Sequence, residues 1–141
     1  MPLAEFKLIE KYFTKTTVSG EVPVLGIGDD AAIVYVPKGY ELVTSVTQQL
    51  FSQDGCNSDK TGVTLLNQAI TDFKHLYPDS KANWMTLSIS LSTLNENWLL
   101  KFSQELYTCA LKHNIQLIGG DTSKGQNILR INLSGLDKLS A

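Results

Sequence analysis

The chain has 141 residues, of which 43% are hydrophobic and 18% are charged, the balance of an ordinary globular protein. A formal net charge of −2 argues against nucleic acid and anionic membranes as partners. No apolar run approaches the roughly 18 residues that a membrane-spanning helix needs, and the first seven residues show no signal-peptide pattern. Cys56 and Cys109 are isolated, as is typical of structural thiols in a reducing compartment. We therefore expect a single cytoplasmic domain over residues 1–141.

Apolar periodicity predicts helices and strands along the chain. In chain order, the predicted elements are a helix at 5–13, strands at 31–36 and 41–47 joined by a hairpin at 37–40, a helix at 62–76, a strand at 84–91, a helix at 96–113, and strands at 115–118 and 128–136. Asn95 is expected to cap the helix that follows it. The face of the helix at 62–76 that is expected to meet the core consists of Val63, Leu66, Ile70, Phe73 and Leu76. Because hairpins and alternating strands occur beside helices, we expect an α+β fold in which helices cover one face of a mixed β-sheet.

Two short segments combine glycine with carboxylate at the edge of an apolar run. They are Gly26-Ile27-Gly28-Asp29-Asp30 and Ile118-Gly119-Gly120-Asp121-Thr122. Glycine lets the backbone turn and approach a ligand closely, and aspartate oxygens suit a hard cation such as Mg²⁺. We therefore predict a turn at each segment and a metal–phosphate site that the fold assembles from both.

The rest of the sequence limits how phosphate could be bound. There is no Walker A loop and no complete dinucleotide fingerprint, so carboxylate-held Mg²⁺ would have to offset most of the phosphate charge. Lys124 is the exceptional basic residue near the second segment, and Asp72 is a further carboxylate candidate in the helix at 62–76. Hydroxyls at Thr44, Ser45 and Thr47 could support a metal, although strands are rich in threonine anyway. A purely structural role for each aspartate stays open, because aspartate in turns often accepts local backbone hydrogen bonds.

These segments resemble the thiamine-monophosphate kinase family. The resemblance is carried by residues 26–32, by the strand, hairpin and strand that follow, and by residues 117–122, with further likeness at 5–9 and 84–91. The family belongs to a superfamily with aminoimidazole ribonucleotide synthetase, selenophosphate synthetase and a hydrogenase maturation protein. The resemblance covers nearly all of this chain but only the amino-terminal domain of the family, and we expect the second, carboxy-terminal domain to be absent.

The resemblance implies transfer of the γ-phosphoryl group of ATP to thiamine monophosphate, giving thiamine diphosphate, with Mg²⁺ ions bridging the phosphates. The metal ligands that it implies are Asp29, Asp30, Ser45, Thr47, Asp72 and Asp121, with Asp29 supporting the first turn. The nucleotide contacts that it implies are Gly120, Asp121 and Lys124, and the substrate contact is Asp54. It also implies a homodimer of amino-terminal domains, with the nucleotide cleft near the interface.

The chain departs from the family pattern at three places. Thr47 stands where the family has a metal-binding aspartate, which should weaken Mg²⁺ binding because one ligand charge is lost. Asp54 stands where the family has a histidine, and its carboxylate would repel a substrate phosphate. Asp72 keeps its carboxylate while the residues around it differ from those of the family.

Two hypotheses follow from the resemblance and the departures. The first is the amino-terminal half of a divergent kinase, whose carboxy-terminal half belongs to a longer chain or to a separate partner. The second is a catalytically inactive stand-alone relative that serves as a dimerising or nucleotide-binding module. Preserved glycine–aspartate segments favour a retained ligand, whereas the three departures favour lost catalysis.

Overall fold

The computed structural model describes residues 33–139, which form one mixed sheet with two helices. The elements are β1 (Tyr40–Leu50), a 3₁₀ turn (Ser58–Lys60), α1 (Thr61–Leu76), β2 (Lys81–Leu91), α2 (Glu96–Lys112), β3 (Gln116–Lys124) and β4 (Ile128–Lys138). The helix predicted at 5–13 and the first acidic turn, with Asp29 and Asp30, lie outside the described residues.

The sheet has the strand order β1-β4-β2-β3. β4 lies antiparallel to both β1 and β2, whereas β2 and β3 are parallel. The parallel pair is the product of a strand–helix–strand unit in which α2 connects β2 to β3. The predicted α+β fold, a mixed sheet covered by helices on one face, is confirmed.

The core lies between the two helices and one face of the sheet. β4 contributes Leu129, Ile131 and Leu133, all with no exposed surface. Phe73 of α1 and Phe102 of α2 close over the strands and are almost fully buried. Complete burial of a side chain of this kind stabilises the fold by about 1.5–3 kcal/mol, so the helices are held to the sheet mainly by these contacts.

Both helices begin and end for reasons that the sequence carries. The Oδ1 atom of Asn95 accepts a hydrogen bond from the backbone N–H of Trp98 at 3.1 Å, which confirms the predicted cap of α2. α1 ends at Leu76 because Tyr77 precedes Pro78, and a residue before proline is disfavoured in helical conformation. The inward face of α1 is shifted from the expected one. Leu65 and Ala69 are buried, whereas Leu76, the last residue of the helix, is 63% exposed.

The strand predicted at 31–36 is wrong in its described part. Only Val34 makes an isolated bridge, and Ile33 and Tyr35 are 67% and 58% exposed. A turn does form at 37–40, with Gly39 at φ 93° and the N–H of Tyr40 donating to the carbonyl of Pro37, but residues 33–39 contain no strand for it to join to β1, so it is not the predicted hairpin. The chain therefore enters the sheet at Tyr40, and apolar residues before that point do not by themselves make a strand.

Candidate functional site

The second acidic segment is part of a strand and not a turn. β3 runs from Gln116 to Lys124, and Ile118 is an extra residue between the pairs Met85–Leu117 and Thr86–Gly119. Regular pairing resumes at once, with Gly120 opposite Leu87 and Asp121 opposite Ser88. The predicted turn is therefore a β-bulge, which re-aims the strand without ending it.

Gly120 is required by the close approach of β3 to β2. A Cβ atom added at Gly120 would lie 1.9 Å from the carbonyl oxygen of Leu87 and 2.9 Å from its carbonyl carbon. Both are backbone atoms of a paired strand, so they cannot move aside as a flexible side chain would. Gly120 thus fixes the pairing that places Asp121 beside Ser88.

Asp121 lies on the face of the sheet opposite the helices, which we call the open face. Cross-strand partners share a face, so the register places Asp121, Ser88, Arg130 and Gln48 in one row across all four strands. Asp121 and Arg130 are exposed. At about 4.8 Å per strand spacing, their Cα atoms are about 10 Å apart.

Arg130 was not singled out from the sequence. Its Nε atom donates to Oε1 of Gln48 at 3.0 Å, and its Nη2 atom donates to the same oxygen. The guanidinium is therefore oriented by Gln48, and its Nη1 atom makes no hydrogen bond within residues 33–139. In the sequence, Arg130 is a charged residue at an outward position of an alternating strand. That position points to a site only once the structure shows that β4 lies in the middle of the sheet.

Ser45 and Thr47 lie on the other face of the sheet. Thr47 shares a row with Ile131, Leu87 and Gly120, so it stands at the β1 edge while Gly120 stands at the β3 edge. Three strand spacings separate these edges, about 14 Å along the sheet. The Oγ atom of Ser45 is buried without a hydrogen-bond partner among the described residues. Among the candidate ligands within residues 33–139, Ser45 alone has an oxygen that is both buried and unpaired.

Asp72 is distant from Asp121. It is exposed on α1, where Nε2 of Gln68 donates to its Oδ1 atom at 2.9 Å. The neighbouring Phe73 packs against Gly135, which pairs with Ala82 near the start of β2. Ser88, the partner of Asp121, lies six residues further along β2, about 20 Å at the rise of a strand.

Asp54 lies in the loop that follows β1, and Lys124 is the last residue of β3. Asp54 is exposed in the loop after β1, where its N–H donates to Oγ of Ser52 at 3.1 Å. Gln53 anchors this loop, because its Nε2 atom donates to Oδ1 of Asn127 and to the carbonyl of Thr93, both at 3.0 Å. Lys124 is exposed at the end of β3. Asp54 and Lys124 thus lie in solvent-accessible positions and remain candidate contacts.

The candidate ligands do not form one coordination sphere in the described part of the chain. Within residues 33–139, no group of three or more histidine, cysteine, aspartate or glutamate side chains is placed to hold a metal ion. Asp121 and Arg130 are neighbours on the open face, whereas Thr47 and Asp72 lie on the helix side. The ligand roles of Asp121, Ser45, Thr47 and Asp72 stay predictions.

The two cysteines differ in environment. Burial raises the pKa of the Cys109 thiol, an effect partly offset by the nearby positive charge of Lys112. The Cys109 thiol also lies 3.6 Å from Oδ1 of Asn67, within hydrogen-bond reach for sulfur. Cys56 is exposed, and neither cysteine is in a disulfide. Among residues 33–139, no helix is long and apolar enough to cross a membrane.

Comparisons with known proteins agree with the fold. The family described as AIR synthase related protein, N-terminal domain, matches residues 28–136. Thiamine-monophosphate kinase of Buchnera aphidicola subsp. Acyrthosiphon pisum is 30% identical over an alignment of 141 residues, and the alignment covers 98% of this chain. The chain spans 43% of the length of that relative.

Solved structures lead to the same family. The crystal structure of thiamine-monophosphate kinase from Stenotrophomonas maltophilia K279a is 30% identical, with a TM-score of 0.72, and the match covers 96% of this chain and 43% of that one. AaThiL complexed with AMPPCP and TMP shares the fold at 17% identity, with a TM-score of 0.58 over 94% of this chain and 40% of that one. With the family match spanning most of its residues, the chain belongs to the AIR synthase related protein family as an N-terminal domain.

Proposed function

We propose that this chain supplies the amino-terminal, nucleotide-binding half of a Mg²⁺-dependent kinase that phosphorylates thiamine monophosphate with ATP. The observation that carries the proposal is the close approach of Gly120 to the Leu87 backbone, because it fixes the strand pairing that puts Asp121 on the open face beside Ser88. The proposal is also supported by the similarity to thiamine-monophosphate kinases and by the fold shared with AaThiL, which was solved with AMPPCP and TMP.

The residues around Asp121 suit a metal-bound polyphosphate. Mg²⁺ is commonly bound through one or two carboxylates together with substrate phosphates and water, so one exposed carboxylate is a sufficient protein ligand. Bound there, Mg²⁺ would offset phosphate charge, which phosphoryl transfer needs more than it needs a covalent group. Arg130, about 10 Å away and oriented by Gln48, offers free guanidinium donors to the same polyphosphate.

Binding of Mg²⁺ and ATP is tested by thermal unfolding with both ligands, with each alone and with neither. At a free ligand concentration ten times Kd, binding stabilises the folded state by about 1.4 kcal/mol, which raises the Tm by about 5 °C at this size. We expect a rise only with both ligands, its loss in Asp121→Asn, and its retention in the control Asp79→Asn, an exposed aspartate of the α1–β2 connection. A rise that survives in Asp121→Asn would overturn the assignment of Asp121.

We propose that Thr47 occupies, beside Ser45, a position that binds metal in the family and has lost its carboxylate in this chain. Restoring a carboxylate there by Thr47→Asp should raise the Mg²⁺ affinity, because it adds a charged oxygen ligand near the unpaired Oγ of Ser45. Calorimetric titration with Mg²⁺ measures the change. Gln49→Asp on the same face of β1, closer to the end of the strand, is the matched control. Equal gains in Mg²⁺ affinity in both variants would show that the added negative charge, and not a metal position at Thr47, causes the effect.

A non-catalytic dimerising module is the second candidate function, and one observation favours a dimer. The β1 side chains on the open face, Leu42, Val46 and Leu50, are 46%, 62% and 67% exposed. These three apolar residues alternate with the polar Thr44 and Gln48 along the edge strand, and exposed apolar side chains grouped in this way are typical of an interaction surface. We propose that a second copy of this chain covers this surface, in agreement with the homodimer that the family resemblance implies. Absence of phosphotransfer when a carboxy-terminal partner is supplied, with dimer and nucleotide binding retained, would favour this second function.

A further inference from the structure

A cavity of about 360 Å³ opens on the helix side of the molecule, where the last turns of α1 meet the starts of β2 and β3. Its lining comprises Ile70, Phe73, Lys74, Ser80, Lys81, Ala82, His113 and Ile115. Lys81 is seven residues before Ser88 on β2, so the cavity is about 23 Å from Asp121 along the sheet. It is therefore separate from the proposed nucleotide site.

The floor of the cavity is apolar and rigid. Phe73 and Ile115 each expose 1% of their surface, and Ala82 exposes 8%. All three belong to the main hydrophobic core, and Ile70 packs against it. A ligand resting on these side chains would therefore meet a preformed apolar surface and not a flexible loop.

The rim of the cavity carries two lysines and one histidine. Lys74 comes from α1, Lys81 from the start of β2 and His113 from the end of α2. Within residues 33–139, no other side chain forms an ion pair or hydrogen bond with the ammonium groups of Lys74 and Lys81. Three nitrogen-bearing side chains from three elements thus surround one apolar floor.

Two acidic residues near the cavity are Asp137 and Asp79, which is exposed beside Ser80 in the chain. The carboxylate of Asp137 accepts a hydrogen bond from Oγ of Ser80. The carbonyls at the helix ends, which carry partial negative charge, also have donors: Phe73 accepts from Tyr77, and Ala110 accepts from Ile115 at 2.9 Å. The two helix-end carbonyls are therefore occupied, and within residues 33–139 neither lysine has a hydrogen-bond or ion-pair partner.

We propose that this cavity binds a small amphiphilic anion, a compact aromatic or branched aliphatic group that carries a carboxylate or phosphate. The apolar body rests on Phe73, Ala82 and Ile115, and the anionic group faces Lys74 and Lys81. The volume lies at the small end of the range for ligand pockets, which suits a single ring with one charged substituent.

The proposal is tested by titrating the ¹⁵N-labelled full chain with benzoate and phenyl phosphate, with benzamide as the neutral analogue of similar shape. We expect saturable amide shifts at residues 70–82 and 113–115 with both anions, and at least about tenfold weaker binding of benzamide, as the charged contacts require. The carboxylate and phosphate arms show which anionic group is preferred. Shifts of equal size with benzamide would overturn the assignment of an anion site.

Charge variants separate a built site from general attraction. The double variant Lys74→Gln/Lys81→Gln should weaken benzoate binding by about tenfold, because two exposed charge contacts are lost together. The control Lys60→Gln/Lys101→Gln removes the same charge from exposed lysines outside the cavity and should leave the affinity unchanged. Equal weakening in both variants, or shifts spread over the surface without saturation, would overturn the proposal. All four substituted lysines are exposed, so the variants should fold, which the amide spectrum checks directly.

Discussion

Substitution of Gly120 by alanine is the sharpest test of how β3 is seated against β2. The added methyl group would lie 1.9 Å from the Leu87 carbonyl oxygen, 2.9 Å from its carbonyl carbon and 3.1 Å from its backbone nitrogen. The strand pair can accommodate it only by separating, which breaks ladder hydrogen bonds on both sides of Gly120. Overpacking in a core costs about 1–3 kcal/mol, and the loss of backbone pairing adds to it, so we expect a destabilisation of about 3 kcal/mol.

Urea unfolding followed by circular dichroism measures this change. At this chain length, about 3 kcal/mol corresponds to a fall in Tm of about 10 °C, and the denaturant slope should stay constant if only the folded state is affected. Gly125→Ala is the matched control, because its Cβ would meet only Oγ of Ser90, a hydroxyl that can rotate away. A loss below about 1 kcal/mol in Gly120→Ala, or an equal loss in both variants, would refute the close packing of β3 on the Leu87 backbone.

Further expectations concern the α2 cap, the open face and the cysteines. Asn95→Ala should lower the free energy of unfolding by about 1 kcal/mol, measured by urea titration, because the Trp98 N–H loses its acceptor; no loss would contradict the cap. Val46→Lys should shift the sedimentation equilibrium of a dimer toward monomer, whereas an unchanged mass would place the interface elsewhere. Iodoacetamide at mildly alkaline pH should alkylate Cys56 before Cys109, because burial raises the pKa of the Cys109 thiol and limits the access of the reagent to it. Mass spectrometry of peptides detects the order of labelling, and labelling of Cys109 first would contradict this expectation.

Local patterns in the sequence were sufficient to predict the two helices within residues 33–139 and the alternating strands β2 and β4. Asn95 and the period of α2 define that helix, and alternation from Met85 to Leu91 identifies the buried face of β2. β3 was predicted too short, because Gly119 and Gly120 are typical of turns when read alone. Their role in the strand depends on the position of the Leu87 carbonyl in a neighbouring element, which no local pattern contains.

The candidate site was less predictable than the fold for a related reason. Asp121 was identified from its glycine neighbours, yet Arg130 became a candidate only once β4 was found beside β2. The spacing between Thr47 and Asp121 likewise depends on strand order, because β4 and β2 separate the strands that carry them. Residue type predicted which groups suit a metal, and topology decided which of them are neighbours.

The strand order has a consequence for the synthesis of this protein. β4 is the last of the strands within residues 33–139 but lies between β1 and β2, where Thr44 pairs with Ser134, 90 residues later. Until residues 128–138 leave the ribosome, β1 lacks the strand that it pairs with in the described sheet, and β2 has one open edge. Unpaired strand edges and long-range pairing both slow folding and favour aggregation. The edges of β1 and β2 therefore stay unpaired during most of the synthesis of residues 33–139. We expect chaperones to bind the nascent chain less once β4 has emerged.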